Sequence, residues 1–151
     1  MRSNGCADGG DEIDACSLFR EKRVWRELTP DLVNSYIGDV TGIDATAKDF
    51  RTWHATVLAA ASLARSGEYK AKTDRDAAVR AAMDEAASML GNTPAQARAS
   101  YVDPRVVVGY TTHRTVDAGI ARRAFDNRAA EQRPLERAVL KLLREIQEDG
   151  A

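Results

Sequence analysis

The spacing of apolar residues between punctuating glycines and prolines leaves this chain few folds to choose from. Val79, Ala82, Met83, Ala86, Met89 and Leu90 recur at i, i+3, i+4 and i+7, the pattern of one buried helix face, and stop at Gly91. A glycine there can turn the chain out of the helix, since it adopts the left-handed conformation without steric cost. That helix is expected from about Thr73. Thr29-Pro30 reads as a cap with proline at the first helical position, followed by Leu32, Val33, Tyr36, Ile37 and Val40 in helical register up to Gly42. Thr46 with Asp49 forms a variant capping box. It opens a helix with Phe50, Trp53, Val57, Ala60, Ala61 and Ala64 on one face, ending near Gly67.

Thr93-Pro94 starts a short helix that includes Tyr101, and Asp103-Pro104 interrupts it, because a residue before proline avoids helical geometry. Val106, Val107 and Val108 are expected to add one more helical turn. A polar loop follows from Thr111 to Thr115. The last helix carries Leu135, Ala138, Val139, Leu142, Leu143 and Ile146 on one face, with Lys141–Glu145 and Arg144–Glu148 paired on the other. At the front, LFREKRVWREL reads as a short strand or hairpin edge, and residues 1 to 17 as a flexible tail. The expectation is a mainly α chain with at most a hairpin before its helices.

At 151 residues the chain fits one domain. A net charge of −1 gives no global argument for nucleic acid, so any DNA-binding case rests on local geometry. No apolar run approaches the roughly 20 residues of a membrane span, and the N-terminus lacks the order of a signal peptide. Cys6 and Cys16 are too few for a disulfide framework, and no Cys/His spacing suggests zinc. A cytoplasmic chain with free thiols, no metal and no small-molecule cofactor follows.

Three segments stand out together: TAKDFRTWHATVLAA, LGNTP and ARASYVDPRVV. Their order and spacing resemble the C-terminal catalytic region of type IB DNA topoisomerases, in the compact bacterial and poxvirus branch. DVTGIDATAKDFRTWHATVLAA and the tail ERAVLKLLREI carry the resemblance further, over residues 18 to 147. It implies a helical catalytic domain of the kind shared with tyrosine recombinases, and double-stranded DNA as partner. It also implies supercoil relaxation through a 3′-phosphotyrosyl intermediate, without metal or ATP.

The same resemblance assigns roles. Tyr101, nine positions beyond Asn92, would be the nucleophile, and Arg51 in KDFRTW the second catalytic arginine. Asn92 would donate to a non-bridging phosphate oxygen from the place held by histidine in the poxvirus enzymes, and Lys48 would contact DNA. Such help is needed because a free tyrosine, with pKa near 10, is ionised in only about one molecule in a thousand at pH 7. Each residue also has a plainer reading. Arg51 could pair with Asp49 or Glu85, Asn92 could serve a polar turn, Lys48 could be solvated, and Tyr101 could be a half-buried aromatic. His54, one turn from Arg51, is expected to be a satisfied structural histidine.

The family's first arginine and its general-acid lysine lie upstream of the LFRE stretch, which only 17 residues precede here. Arg20, Lys22, Arg23 and Arg26 fall at the wrong place in the pattern. The expectation is a partial catalytic domain over residues 18–151, without the DNA-clamp domain and slow or inactive alone. A non-catalytic DNA-binding remnant is the alternative. A tyrosine recombinase fits less well, since Lys48 and Asn92 stand where recombinases usually have histidine.

Overall fold

The structure is a computed structural model that describes residues 18–21, 24–126 and 128–150. The tail expected over residues 1 to 17 lies outside the described residues. Two compact units form, Met1–Ala47 and Lys48–Ala151.

In the first unit, β1 (Leu18–Glu21) pairs antiparallel with β2 (Val24–Glu27), with Phe19 opposite Arg26. This is the hairpin expected from LFREKRVWREL. The helix α1 (Pro30–Thr41) begins as its cap dictates: Thr29 Oγ1 accepts from the Leu32 N–H at 3.3 Å, and Gly42 closes the helix at φ 69°. Leu32, Tyr36 and Val40 are exposed on it.

The second unit holds α2 (Ala47–Ser66), α3 (Lys72–Leu90), α4 (Pro94–Ser100), α5 (Pro104–Thr111), α6 (Ala118–Asp126) and α7 (Arg128–Asp149). With α1 these make seven helices among the described residues, so the chain is mainly α, as expected. The buried apolar cluster lies entirely within this unit. Its centre is α2, where Ala55, Thr56, Val57 and Ala59 to Ala64 are all buried. The sequence suggested one buried face; from Ala55 to Ala64 the structure buries this helix on nearly every side, while its first two turns stay open. Alanine explains the difference, because its single methyl suits either surface or interior and lets neighbouring helices approach from all directions. Phe50, placed on the expected core face, is exposed instead.

The other helices use one face each. Val79, Ala82, Met83, Ala86, Ala87 and Leu90 of α3 are buried, whereas Met89 is exposed. On α7, Leu135, Val139, Leu142 and Leu143 are buried, and this helix packs against α5 and α6. It runs through Pro134, which can donate no backbone hydrogen bond at that point. Lys141 reaches Glu145 at 3.7 Å as expected, but Arg144 makes no ion pair among the described residues. The helix α6 was not expected from the sequence.

Gly109 marks the tightest approach. A Cβ there would lie 2.8 Å from Ile146 Cδ1 and 2.9 Å from the Arg114 carbonyl oxygen. The side chain can rotate away but the backbone oxygen cannot. Gly109→Ala is therefore expected to destabilise the unit by about 1–3 kcal/mol, read as a lower midpoint in urea denaturation.

Candidate active site

The candidate residues gather where α2, α3 and α4 meet. Gly91, at φ 68°, ends α3 in the left-handed conformation, and the Asn92 N–H turns back to the Ala87 carbonyl at 3.0 Å. Thr93 then caps α4 through the Gln96 N–H at 3.3 Å, with Pro94 in the first turn. The helix stops at Ser100. Tyr101 is its C-terminal cap rather than a helical residue, at φ −130° and ψ −27°. The Tyr101 N–H donates to Ala97 O at 3.0 Å.

Arg51 projects from the start of α2 to this corner. Its Nη2 donates to the Leu90 carbonyl at 2.8 Å, at the C-terminal end of α3, where the last carbonyls lack helical partners and the helix dipole is negative. The guanidinium carbon then sits 5.5 Å from the centroid of the Tyr101 ring, within reach of a cation–π attraction. Arg51 therefore ties the end of α3 to Tyr101. Glu85, one of its expected alternative partners, is held by Arg65 at 2.7 Å.

Asn92 lies two residues beyond the carbonyl that Arg51 holds. Its Nδ2 is buried and has no acceptor, a state that costs about 1–3 kcal/mol. Lys48 is exposed one turn before Arg51 and makes no hydrogen bond or ion pair among the described residues. His54 is exposed too, and lines a small cavity with Val57, Leu58, Arg65, Met89 and Gln132. The satisfied structural histidine expected there is not observed.

The tyrosines of this unit separate clearly. Tyr69 donates its hydroxyl to Thr111 O at 2.9 Å, and Tyr110 donates to Gly67 O at 3.1 Å. Burial, reinforced by Tyr69 and Asp74, raises the Tyr110 hydroxyl above its ordinary pKa. A nucleophile needs the opposite shift. The half-buried Tyr101 packs its ring against the core, and its hydroxyl makes no hydrogen bond among the described residues.

Three residues that the sequence reading did not place in the site, Thr56, Asp103 and Arg105, hold this corner in place. The buried Thr56 hydroxyl donates to Tyr101 O at 3.3 Å and accepts from the Asp103 N–H at 3.1 Å. Asp103 in turn caps α5 through the Arg105 N–H at 2.9 Å and grips the Arg105 guanidinium at 2.6 Å. A hydroxyl inside the alanine-rich run was the available signal for Thr56. Thr56→Val keeps the shape but leaves both backbone groups without their partner. A loss of about 1–3 kcal/mol is expected in a denaturation curve.

Hydrogen bonds from Arg105 hold the Asp103 carboxyl below its ordinary pKa, against the opposing effect of burial. Its contribution to stability is thus complete above the unfolded value of about 3.9 and is lost as pH falls through the lower folded value. Asp103→Ala is expected to cost about 0.5–2 kcal/mol at pH 7 through the lost cap. The gap from the unsubstituted protein should close as the pH of the urea titration is taken down from the unfolded value through the lower folded one.

Residues 14–107, more than half the chain, match the family of the eukaryotic DNA topoisomerase I catalytic core. The chain belongs to this family. The match covers Lys48, Arg51, Asn92 and Tyr101 and stops before α6 and α7, although the sequence resemblance had been drawn to residue 147. Membership in the topoisomerase I core family makes the chain a type I topoisomerase domain with DNA as its partner. No curated protein matches the chain. Among the described residues of this topoisomerase domain, no helix is long and apolar enough to cross a membrane.

Proposed function

We propose that this chain carries the nucleophile of a type IB topoisomerase of the bacterial and poxvirus branch, acting in the cytoplasm. Tyr101 Oη attacks a phosphodiester of duplex DNA. The Oη–P bond forms, the P–O5′ bond breaks, the phenolic proton passes to water, and the leaving 5′ oxygen takes a proton from water. The 3′-phosphotyrosyl bond holds the cut end while the free strand rotates, and the 5′ hydroxyl then reverses the reaction. The observation that carries this reading is the Arg51 guanidinium, anchored on Leu90 O and lying over the Tyr101 ring.

Arg51 can stabilise negative charge on both the phenolate and the phosphate, and its planar fork suits two oxygens at once. Asn92 supplies a neutral donor. A half-turn of its amide exchanges nitrogen for oxygen and offers the unpartnered Nδ2 hydrogens to a phosphate oxygen. Lys48, exposed on the same helix as Arg51, meets the DNA backbone beside the cleaved bond. Nothing in this chemistry calls for a metal or for ATP.

The test uses a duplex with a 5′-bridging phosphorothiolate, in EDTA. A thiol leaves without being protonated first, so the substrate reports the nucleophile independently of any general acid. A covalent protein–DNA adduct is expected, and with an ordinary phosphodiester a much slower one. No adduct on the phosphorothiolate would reduce the chain to a DNA-binding domain without cleavage.

A further inference from the structure

The link between α4 and α5 consists of Tyr101, Val102 and Asp103 alone. Tyr101 is neither helical nor extended, so its place depends on what holds the helices on either side. The α4 side is held at Ala97, whose carbonyl accepts from the Tyr101 N–H at 3.0 Å and the Val102 N–H at 2.9 Å. The α5 side is held by the last turns of α7. Arg105, in the first turn of α5, donates Nη1 to Gln147 Oε1 at 2.7 Å. Arg114, just past the end of α5, is paired with Glu145 and Asp149. Between them, Ile146 fills the space that a side chain at Gly109 would need. Gln147 lies beyond residue 107, where the family match ends.

Arg105 makes this grip part of a connected path. While Nη1 holds Gln147, Nε and Nη2 reach the Asp103 carboxylate at 3.0 and 2.6 Å. The Asp103 N–H donates to Thr56 Oγ1, and that hydroxyl donates to Tyr101 O. An unbroken run of hydrogen bonds therefore leads from α7 to the peptide group of Tyr101. A groove of about 400 Å³, lined in part by Thr56, Asp103, Arg105 and Gln147, runs beside it.

We infer that Arg105 and Gln147 are positioning residues for the tyrosine, and that α7 braces the segment which carries it. The inference rests on the cleavage reading for its consequence and on these hydrogen bonds for its place. One hydrogen bond between protein groups shifts an equilibrium by roughly 2- to 12-fold. Without the bond from Arg105 to Gln147, displaced positions of residues 101–105 compete by up to that factor. The rate then falls with the fraction of molecules whose tyrosine is aligned for attack.

The test compares variants at Gln147. Gln147→Met keeps the length and helix propensity of the side chain and removes its acceptor oxygen. In that variant the Asp103 amide hydrogen is expected to exchange roughly 2- to 12-fold faster, with denaturation midpoint and duplex affinity unchanged. Adduct formation at saturating phosphorothiolate duplex should slow by the same factor. Gln147→Glu keeps an acceptor for Arg105 and should restore both. Adding Gln147→Met to Arg105→Met should slow the reaction no further, because the bond is already gone. Unchanged exchange at Asp103 overturns the brace, as do additive effects of the two substitutions. Faster exchange with an unchanged adduct rate overturns its bearing on cleavage. No adduct from the unsubstituted protein strikes the cleavage reading, and the positioning role with it, whereas unchanged exchange with the adduct formed strikes the brace alone.

Discussion

Tyr101→Phe is expected to abolish the covalent adduct and to leave the fold as stable as before. The substitution removes one oxygen. That oxygen makes no hydrogen bond among the described residues, so its loss strands no partner. The ring that packs on the core and faces Arg51 remains. The expected result is therefore a complete loss of adduct on the phosphorothiolate duplex, with a denaturation midpoint unchanged within error. A residual adduct would assign the nucleophile to another residue. Tyr69 and Tyr110, whose hydroxyls are committed to backbone carbonyls, would be poor replacements.

The second large effect is expected at Arg51. Removing one preorganised donor from a site of this kind typically costs about 10²–10³ in rate, and Arg51→Ala should lower the rate of adduct formation by that factor. Arg51→Lys should recover little. An ammonium is a point charge without the planar fork that lets one guanidinium hold Leu90 O and still face the tyrosine. Arg51 is exposed, so stability should change little, and DNA affinity should fall far less than the rate does. An Arg51→Ala protein that cleaves at the original rate would remove this residue from the chemistry.

Much of this architecture was legible because it is local. Thr29-Pro30 and Thr93-Pro94 each place a hydrogen-bonding oxygen just before a residue that has no N–H to satisfy, and both start helices; Asp103-Pro104, read from the sequence as an interruption, starts one in the same way. Gly42 and Gly91 end helices for the complementary reason. What escaped was long-range or ambiguous. Arg51 is held by a backbone carbonyl 39 positions away, and Thr56 by backbone groups 45 and 47 positions away. Backbone partners leave no trace in residue identity. The surroundings of α2 were unreadable because alanine does not declare a face. The helix α6 is only nine residues long, with arginines in its middle that read as loop. In the candidate site, the resemblance pointed to Arg51, Asn92 and Tyr101. The structure adds the contact between Arg51 and Tyr101, and the threonine that holds the tyrosine's backbone.

The Thr56 clasp also bears on timing. The N–H of Tyr101 is bound within α4 and its carbonyl is bound by Thr56, while the next N–H but one belongs to the same hydroxyl. The peptide chain at Tyr101 is thus anchored on both sides, and the freedom left to the phenol is rotation about its two side-chain torsions. Rotamer exchange of that kind takes picoseconds to nanoseconds, far faster than the nanosecond-to-microsecond motion of a loop. Once DNA is seated, cleavage should follow a single exponential with no lag for ordering the segment that bears the tyrosine.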